Sequence, residues 1–368
     1  MQKEIITLAI AGLVSGSALA QSNVTIYGIA DMSYVNYSDG NASGQGGGRI
    51  DSGQWKTSRF GLRGSEDLGN GLSAIFQQEF GLDMDVNGGP TKQRPSWVGL
   101  QSKSLGEAKG GNINTFEDDL LVATSVMLEY GTMASPKYVY IETAGSEPRN
   151  MISNAVHYYS PVWDGFQIKA GISTHASNSD DTASARTTAT GATGNNRVFA
   201  AAVHYSNGPL IAGATYEYNK AQSYAGVSNP DSGNTWNLAA SYDFGVARIG
   251  GAYGTINYAQ NRGVTRDDRK QWHVGISAPI TPKDLVSINY AHATIDYNNA
   301  WNDDSIGFWG VGYQHSLSKR TTLYAAYGDI NQSETNQTRA SLSSTTPVSG
   351  TTANAFEQAF AVGIRHNF

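Results

Sequence analysis

The sequence predicts an all-β chain closed into a transmembrane antiparallel barrel of sixteen strands, on three observations. From Ser22 onward, apolar and polar residues alternate with a period of two, the signature of strands with one greasy and one wet face. The spacers between these runs are short and long in turn. The composition is polar yet poor in charge: charged residues are 15% of 368, against about a quarter in ordinary soluble domains. Mean hydropathy is −0.36, so Ser, Thr, Asn, Gln and Gly carry the polarity, and 20 tyrosines supply amphipathic bulk.

The first element is an export leader. Residues 1–20, MQKEIITLAIAGLVSGSALA, place Lys3 before an apolar run from Ile5 to Val14, and Ala18-Leu19-Ala20 has the form of a signal-peptidase site. The mature chain then starts at Gln21, and 21–368 (368 − 20 = 348 residues) form one barrel domain. The absence of cysteine suits passage through an oxidising periplasm.

The strands follow in order. Val24 and Ile26 alternate with Thr25 and Tyr27; Phe60 and Leu62 with Arg59 and Arg63; Leu72, Ala74 and Phe76 with Ser73 and Gln77. Farther on, Val286, Ile288 and Tyr290 alternate with Ser287 and Asn289. The last run sets Phe360, Val362, Ile364, His366 and Phe368 against Ala361, Gly363, Arg365 and Asn367. Short spacers read Asp67-Leu68-Gly69-Asn70, Asn207-Gly208 and Ser318-Lys319-Arg320; long ones cover 38–54, 176–196, 220–233 and 331–354. Short turns at one end and long loops at the other are the habit of an outer-membrane barrel, and an even strand count returns both ends of the sheet to the periplasmic side. Lipid leaves no backbone polar group a water partner, so such a sheet must close on itself. Sixteen strands then enclose an aqueous lumen whose lining can be polar. Tyr and Trp are expected at the two membrane interfaces.

Other classes fall away. After residue 20 no apolar run approaches the length of a membrane helix. A net charge of −6 gives no case for nucleic acid. Zero cysteines removes thiol catalysis and Cys-ligated zinc, and the seven histidines show no HxxxH or HExxH spacing. Asp83-Met84-Asp85-Val86-Asn87-Gly88 matches half a calcium loop, but the bidentate Glu needed at its twelfth position is Arg94. No dinucleotide fingerprint or nucleophile elbow occurs. No catalysis, cofactor or metal is therefore expected.

Several stretches carry a family resemblance. Asn23 to Asp31, residues 57–72 (TSRFGLRGSEDLGNGL), Trp97 to Leu100, Val156 to Pro161, Leu317 to Thr321 and Val362 to Phe368 together resemble the trimeric general porins of beta-proteobacteria. The resemblance implies a homotrimer in the outer membrane of a Gram-negative cell, seated among lipid and lipopolysaccharide. It also implies passive diffusion of ions and small hydrophilic solutes, with a third long loop folded inward to narrow the lumen. Phe368 is implied as the assembly signal read by the barrel-assembly machinery.

On that map the third loop runs from about Phe116 to Asn150. Glu117, Asp118, Asp119, Glu129, Glu142 and Glu147 against Lys137 and Arg149 give it a net charge of −4. Leu120 to Tyr130 is apolar enough to lie on the inner wall. The resemblance assigns the constriction to Arg59, Arg63, Arg94 and Arg149 facing Glu117, Asp118 and Asp119. Parity turns Arg59 and Arg63 inward, about 13 Å apart along the strand, with Asp31 and Glu79 as inward acids. Arg63 has an alternative place at the periplasmic end near Glu66 and Asp67. Arg94 shares the outward parity of Val98 and Leu100, so it reaches the lumen only if its strand begins after it. Residues 106–114, GEAKGGNIN, depart from the family's usual run, with glycine or asparagine where an arginine is common. The expected behaviour is weak selectivity with a modest anion bias. The alternatives are a porin favouring a particular small organic anion, and a surface protein acting through its long Ser/Thr-rich loops.

Overall fold

The computed structural model describes residues 23–38, 47–86, 90, 94–126, 134–136, 151–174, 197–220, 232–259, 267–297, 304–332 and 358–368. The proposed leader and Arg149 lie outside these residues, as do Lys137, Glu129, Glu142 and Glu147.

Alternation builds the wall. In chain order the strands are β1 (Asn23–Tyr37), β2 (Gly47–Ser52), β3 (Arg59–Gly69), β4 (Leu72–Gly81), β5 (Ser96–Ser102), β6 (Gly106–Asn114), β7 (Met151–Tyr159), β8 (Phe166–Ser173) and β9 (Arg197–Asn207). Then come β10 (Leu210–Lys220), β11 (Ser232–Asp243), β12 (Arg248–Ala259), β13 (Asp267–Pro279), β14 (Asp284–Tyr297), β15 (Asp304–Ser316), β16 (Thr321–Gln332) and β17 (Gln358–Asn367). Helix α1 (Phe116–Thr124) lies between β6 and β7. β2 and β3 both pair antiparallel with β1, every later strand pairs antiparallel with the one before it, and β1 pairs with β17 from Ile29↔Asn367 to Tyr37↔Ala359, closing the ring.

Seventeen strand segments make sixteen staves, because β2 and β3 share one. The upper half of β1 pairs with β2 (Met32↔Ser52 to Tyr37↔Gly47) and its lower half with β3 (Asn23↔Ser65 to Ile29↔Arg59). This corrects one sequence-based boundary, since β2 lies inside the 38–54 stretch read as a loop. Three glycines in a row before Arg49, with few apolar residues, hid the strand. At the break, residues 53–58 leave the ladder. Ser58 Oγ replaces the lost partner, accepting from Asp31 N and donating to Asp31 O, each at 3.0 Å. The Asp31 carboxylate accepts from Lys56 N at 3.0 Å and from the Tyr324 hydroxyl on β16 at 2.7 Å. Trp55 is fully buried, its ring 5.0 Å from that of Tyr324.

The short turns are tight for local reasons. At the end of β3, Asp67 Oδ1 accepts from Gly69 N at 2.8 Å. Asn70 (φ 53) and Gly71 (φ 74) then take the left-handed region that these two residue types tolerate. After β11, Asp243 Oδ1 accepts from Gly245 N at 2.7 Å.

The two faces are inverted relative to a soluble sheet. Val24, Ile26, Val98, Leu100, Ile288 and Val362 point outward and are exposed, whereas Asn237, Gln271, Ser287 and Asn289 point inward and are buried. An outward girdle supplies one aromatic per stave over seven strands: Tyr216, Trp236, Tyr253, Trp272, Tyr290, Trp309 and Tyr327. The pairs Trp236–Tyr253, Trp272–Tyr290 and Trp309–Tyr327 stand 5.0–5.5 Å apart between ring centroids. Rings with one polar end settle where lipid meets water, so the girdle marks an edge of the apolar band. Sixteen strands spaced about 4.8 Å and tilted about 40° enclose a cylinder roughly 30 Å across. That bore has room for a helix about 10–12 Å wide with lumen to spare.

Candidate functional site

The wall half of the site is built by β1, β3, β4 and the segment before β5. Alternation turns Tyr27, Arg59, Gln77 and Glu79 to the same inner face, in register across three strands (Tyr27↔Gly61↔Glu79; Ile29↔Arg59). Gly61, between Arg59 and Arg63, leaves the space that the Tyr27 ring fills; a Cβ there would stand 2.6 Å from the ring Cζ. Glu79 is the hub. Its Oε2 accepts from the Tyr27 hydroxyl at 3.0 Å, and Gln77 donates to that same hydroxyl at 2.9 Å. Its Oε1 takes Arg59 Nη1 at 3.5 Å and a close hydrogen bond from Arg94 Nε.

Arg94 therefore reaches the inner wall. The strand it precedes begins at Ser96, so the outward parity of Val98 does not extend to it. Its backbone is fixed by Asn112, whose Nδ2 donates to Arg94 O at 3.0 Å. Asn112 belongs to the stretch that departs from the family pattern, so that departure supplies a prop for a neighbouring arginine. Arg63 is exposed and lies over the Tyr27 ring at 5.2 Å, below the Glu79 hub.

The loop half begins with α1. Thr115 caps it, its Oγ1 accepting from Asp118 N at 3.0 Å, and Glu117, Asp118 and Asp119 fill the first turn. Acids there meet the positive end of the helix dipole. The helix rests on the inner faces of β9, β10, β11 and β12. Since β10 lies seven staves on from β3 in a ring of sixteen, α1 sits nearly opposite Arg59. Leu120 and Leu121 are fully buried against Ala239 and Ala252, as the apolar stretch of the loop predicted. Glu117 and Asp118 are buried too. Asp119 is half-buried and pairs with Lys169 Nζ of β8 at 3.2 Å. At the other end of the helix, Arg248 of β12 donates to Ala123 O and, at 2.8 Å, to Ser241 Oγ. Asn289 of β14 donates to Ala134 O farther along the loop.

Sequence reasoning passed over the wall residues that hold the loop. Lys169 alternates inward with Gln167, Gly171 and Ser173, and its ammonium lies 5.2 Å from the Tyr159 ring centre and 5.8 Å from that of Phe116. Lys109 pairs with Glu107 at 2.9 Å and stands over Trp97 and Tyr159 at 4.6 and 4.3 Å. Parity alone marks both lysines as inward, but the resemblance points only to arginines as wall cations. At the seam, Phe368 exchanges two backbone hydrogen bonds of 3.0 Å with Gly28. Among the described residues, no group of three His, Cys, Asp or Glu is placed to hold a metal ion.

Comparison with known proteins agrees with this geometry. The family described as Gram-negative porin matches residues 7–335. Outer membrane porin protein 32 of Delftia acidovorans is 30% identical over 381 residues, spanning 100% of each chain. An outer membrane porin protein of Bordetella pertussis is 29% identical, over 89% of this chain and 94% of that one. Among solved structures, an anion-selective porin from Comamonas acidovorans superposes with a TM-score of 0.76 at 27% identity, over 95% of this chain and 100% of that one. A closed sixteen-stave barrel, greasy outside and polar within, together with matches along essentially its whole length, places this chain in the Gram-negative porin family of the outer membrane.

Proposed function

We propose that the chain is a weakly anion-preferring diffusion pore whose filter is the Arg59–Glu79–Arg94 cluster, facing the third loop across the lumen. The observation that carries this is the sharing of one carboxylate by two guanidiniums. Arg59 and Arg94 bring two positive charges and Glu79 one negative, so the cluster keeps a surplus cation, and exposed Arg63 adds another below it. Among the described residues of the loop opposite, the acids are drawn back from the lumen water. Glu117 and Asp118 are buried, and Asp119 is matched by Lys169. In a narrow channel such an imbalance biases which ion enters, and shared pairing keeps the site weak enough for release. The Comamonas porin, titled anion-selective, supports the same sign. Zero-current potentials in a potassium chloride gradient across a planar bilayer test it: a modest anion preference is expected, and strong cation preference overturns the reading.

The functional unit is a homotrimer. The Tyr/Trp girdle runs over β10–β16, while on β4 and β5 an outward polar pair, Gln78 to Ser96 at 2.5 Å, occupies a face that lipid would not reward. That face is the subunit contact, and the girdled arc meets lipid and lipopolysaccharide. Phe368 is the assembly signal. Chemical cross-linking of the detergent-extracted protein tests the trimer, and a product no larger than one chain counts against it.

A further inference from the structure

The inner wall carries a feature that the charge pattern does not explain. Gly250, Gly275, Asn289, Gly310 and Gly328 are consecutive register partners on β12, β13, β14, β15 and β16, all turned inward. A second short row, Gly213, Ala239 and Ala252, pairs across β10, β11 and β12 one inward position away from it. Glycine weakens a strand interior, and its usual justification is the close approach of another backbone. Here the approaching segment is the third loop, with its backbone at Gly250 and Gly310 and its side chains at Gly275 and Gly213. A Cβ on Gly250 would stand 2.5 Å from Thr124 O, one on Gly275 2.4 Å from Val126 Cγ2, and one on Gly310 2.3 Å from Ala134 O. On Gly213 it would meet Leu120 Cδ1 at 2.7 Å. The one long side chain in the row, Asn289, is the one that holds the loop, donating to Ala134 O.

We infer that this in-register row of small residues is a seat that sets the bore of the pore, with Gly275 and Gly310 as size-determining positioning residues. The inference rests on the third loop being the constriction. At Gly250 and Gly310 the loop backbone, and at Gly275 the Val126 side chain, lies closer to the wall than a Cβ would permit, so the free width of the lumen is fixed by what the wall omits. Ordinary carbon contacts are about 3.5–4.0 Å, so a methyl at Gly275 or Gly310 pushes the loop inward by roughly 1 Å. Ion preference is set elsewhere, at Glu79 and its arginines, so size and charge selection are separable.

The test is single-channel conductance together with liposome swelling in sugars of graded size, on wild type, Gly275→Ala, Gly310→Ala and Gly275→Ala/Val126→Ala. Both single variants are expected to conduct less and to discriminate more steeply against the larger sugars, with the sign of the zero-current potential unchanged. Trimming Val126 removes the one loop atom that the new methyl meets, its other neighbours, Asn289 Cβ and Ile288 O at 3.0 Å, being part of the wall, so the double variant is expected to regain wild-type conductance and sugar entry. If Gly275→Ala fails to fold, recovery of a folded, conducting double variant supports the same seat, and failure of both overturns it. Folded single variants with wild-type conductance and sugar discrimination also overturn it. A wild-type protein that passes no sugar would instead count against the pore reading itself.

Discussion

The ring of Phe368 covers Gly28 so closely that a Cβ at Gly28 would stand 2.2 Å from Phe368 Cζ and 2.6 Å from Arg59 O. One of these obstacles is backbone, so turning the ring cannot relieve both. Gly28→Val is predicted to destabilise the seam by about 1–3 kcal/mol, the usual range for overpacking. Heat-shift gel electrophoresis should show the folded band lost at a lower temperature. Phe368→Ala, which keeps the two backbone hydrogen bonds, should melt closer to wild type than Gly28→Val. An unchanged transition in Gly28→Val would remove the seam assignment.

Glu79→Gln should raise the anion preference, because it deletes the one carboxylate shared by Arg59 and Arg94 and leaves both cations. Arg94→Gln should lower it. Opposite shifts of the zero-current potential in these two variants are the expected result. A shift in the same direction would mean that the cluster does not face the ion path.

Lys169→Met leaves Asp119 without its partner on the wall. The cost should fall between the ~1 kcal/mol of an exposed pair and the ~3–5 kcal/mol of breaking a buried one, since Lys169 is buried and Asp119 only half so. Denaturant unfolding in detergent measures this. The same variant should lose anion preference, because a lumen carboxylate is uncovered. A variant as stable as wild type would show that the lysine does not anchor the loop.

Tyr324→Phe removes the hydroxyl that donates to Asp31 at 2.7 Å. A hydrogen bond to a charged group contributes about 1.5–3 kcal/mol, so thermal stability should fall accordingly. Trp55→Ala should cost about 3–5 kcal/mol through the cavity left behind. Both changes sit in the knot that replaces the ladder between β2 and β3, so ion preference should survive them in bilayer recordings.

Raising salt from 0.1 M to 1 M shortens the screening length from about 10 Å to about 3 Å. The anion preference should shrink over that range. Solute-size discrimination, which depends on where the loop backbone lies, should not change. Size discrimination that moved with salt would tie the loop's position to its ion pairs and not to its seat.

The wall was legible because alternation is a local signal: Phe360 to Phe368 and Val286 to Tyr290 announce their faces residue by residue. The inward turn of Arg59 and Glu79 followed from the same parity. What alternation could not show was which inward residues meet. Arg94 lies just outside its strand, so its contact with Glu79 depends on a loop path. Lys169 meets Asp119 only because a helix fifty residues away in sequence is folded across the lumen. The 53–58 inward turn was equally hidden, since its partners Asp31 and Tyr324 come from opposite ends of the chain. The glycine row shows only when strand registers are known, as each strand contributes a single member.

The β1–β17 pairing also dictates an order of events. Its partners, such as Tyr37↔Ala359, are separated by more than three hundred residues, so this ladder closes the longest loop in the chain. The entropy of that closure must be met before the contact returns anything, which makes it a slow step. Until it forms, β1 and β17 are raw edges able to recruit any passing strand. The last strand is therefore the one that ends the hazard.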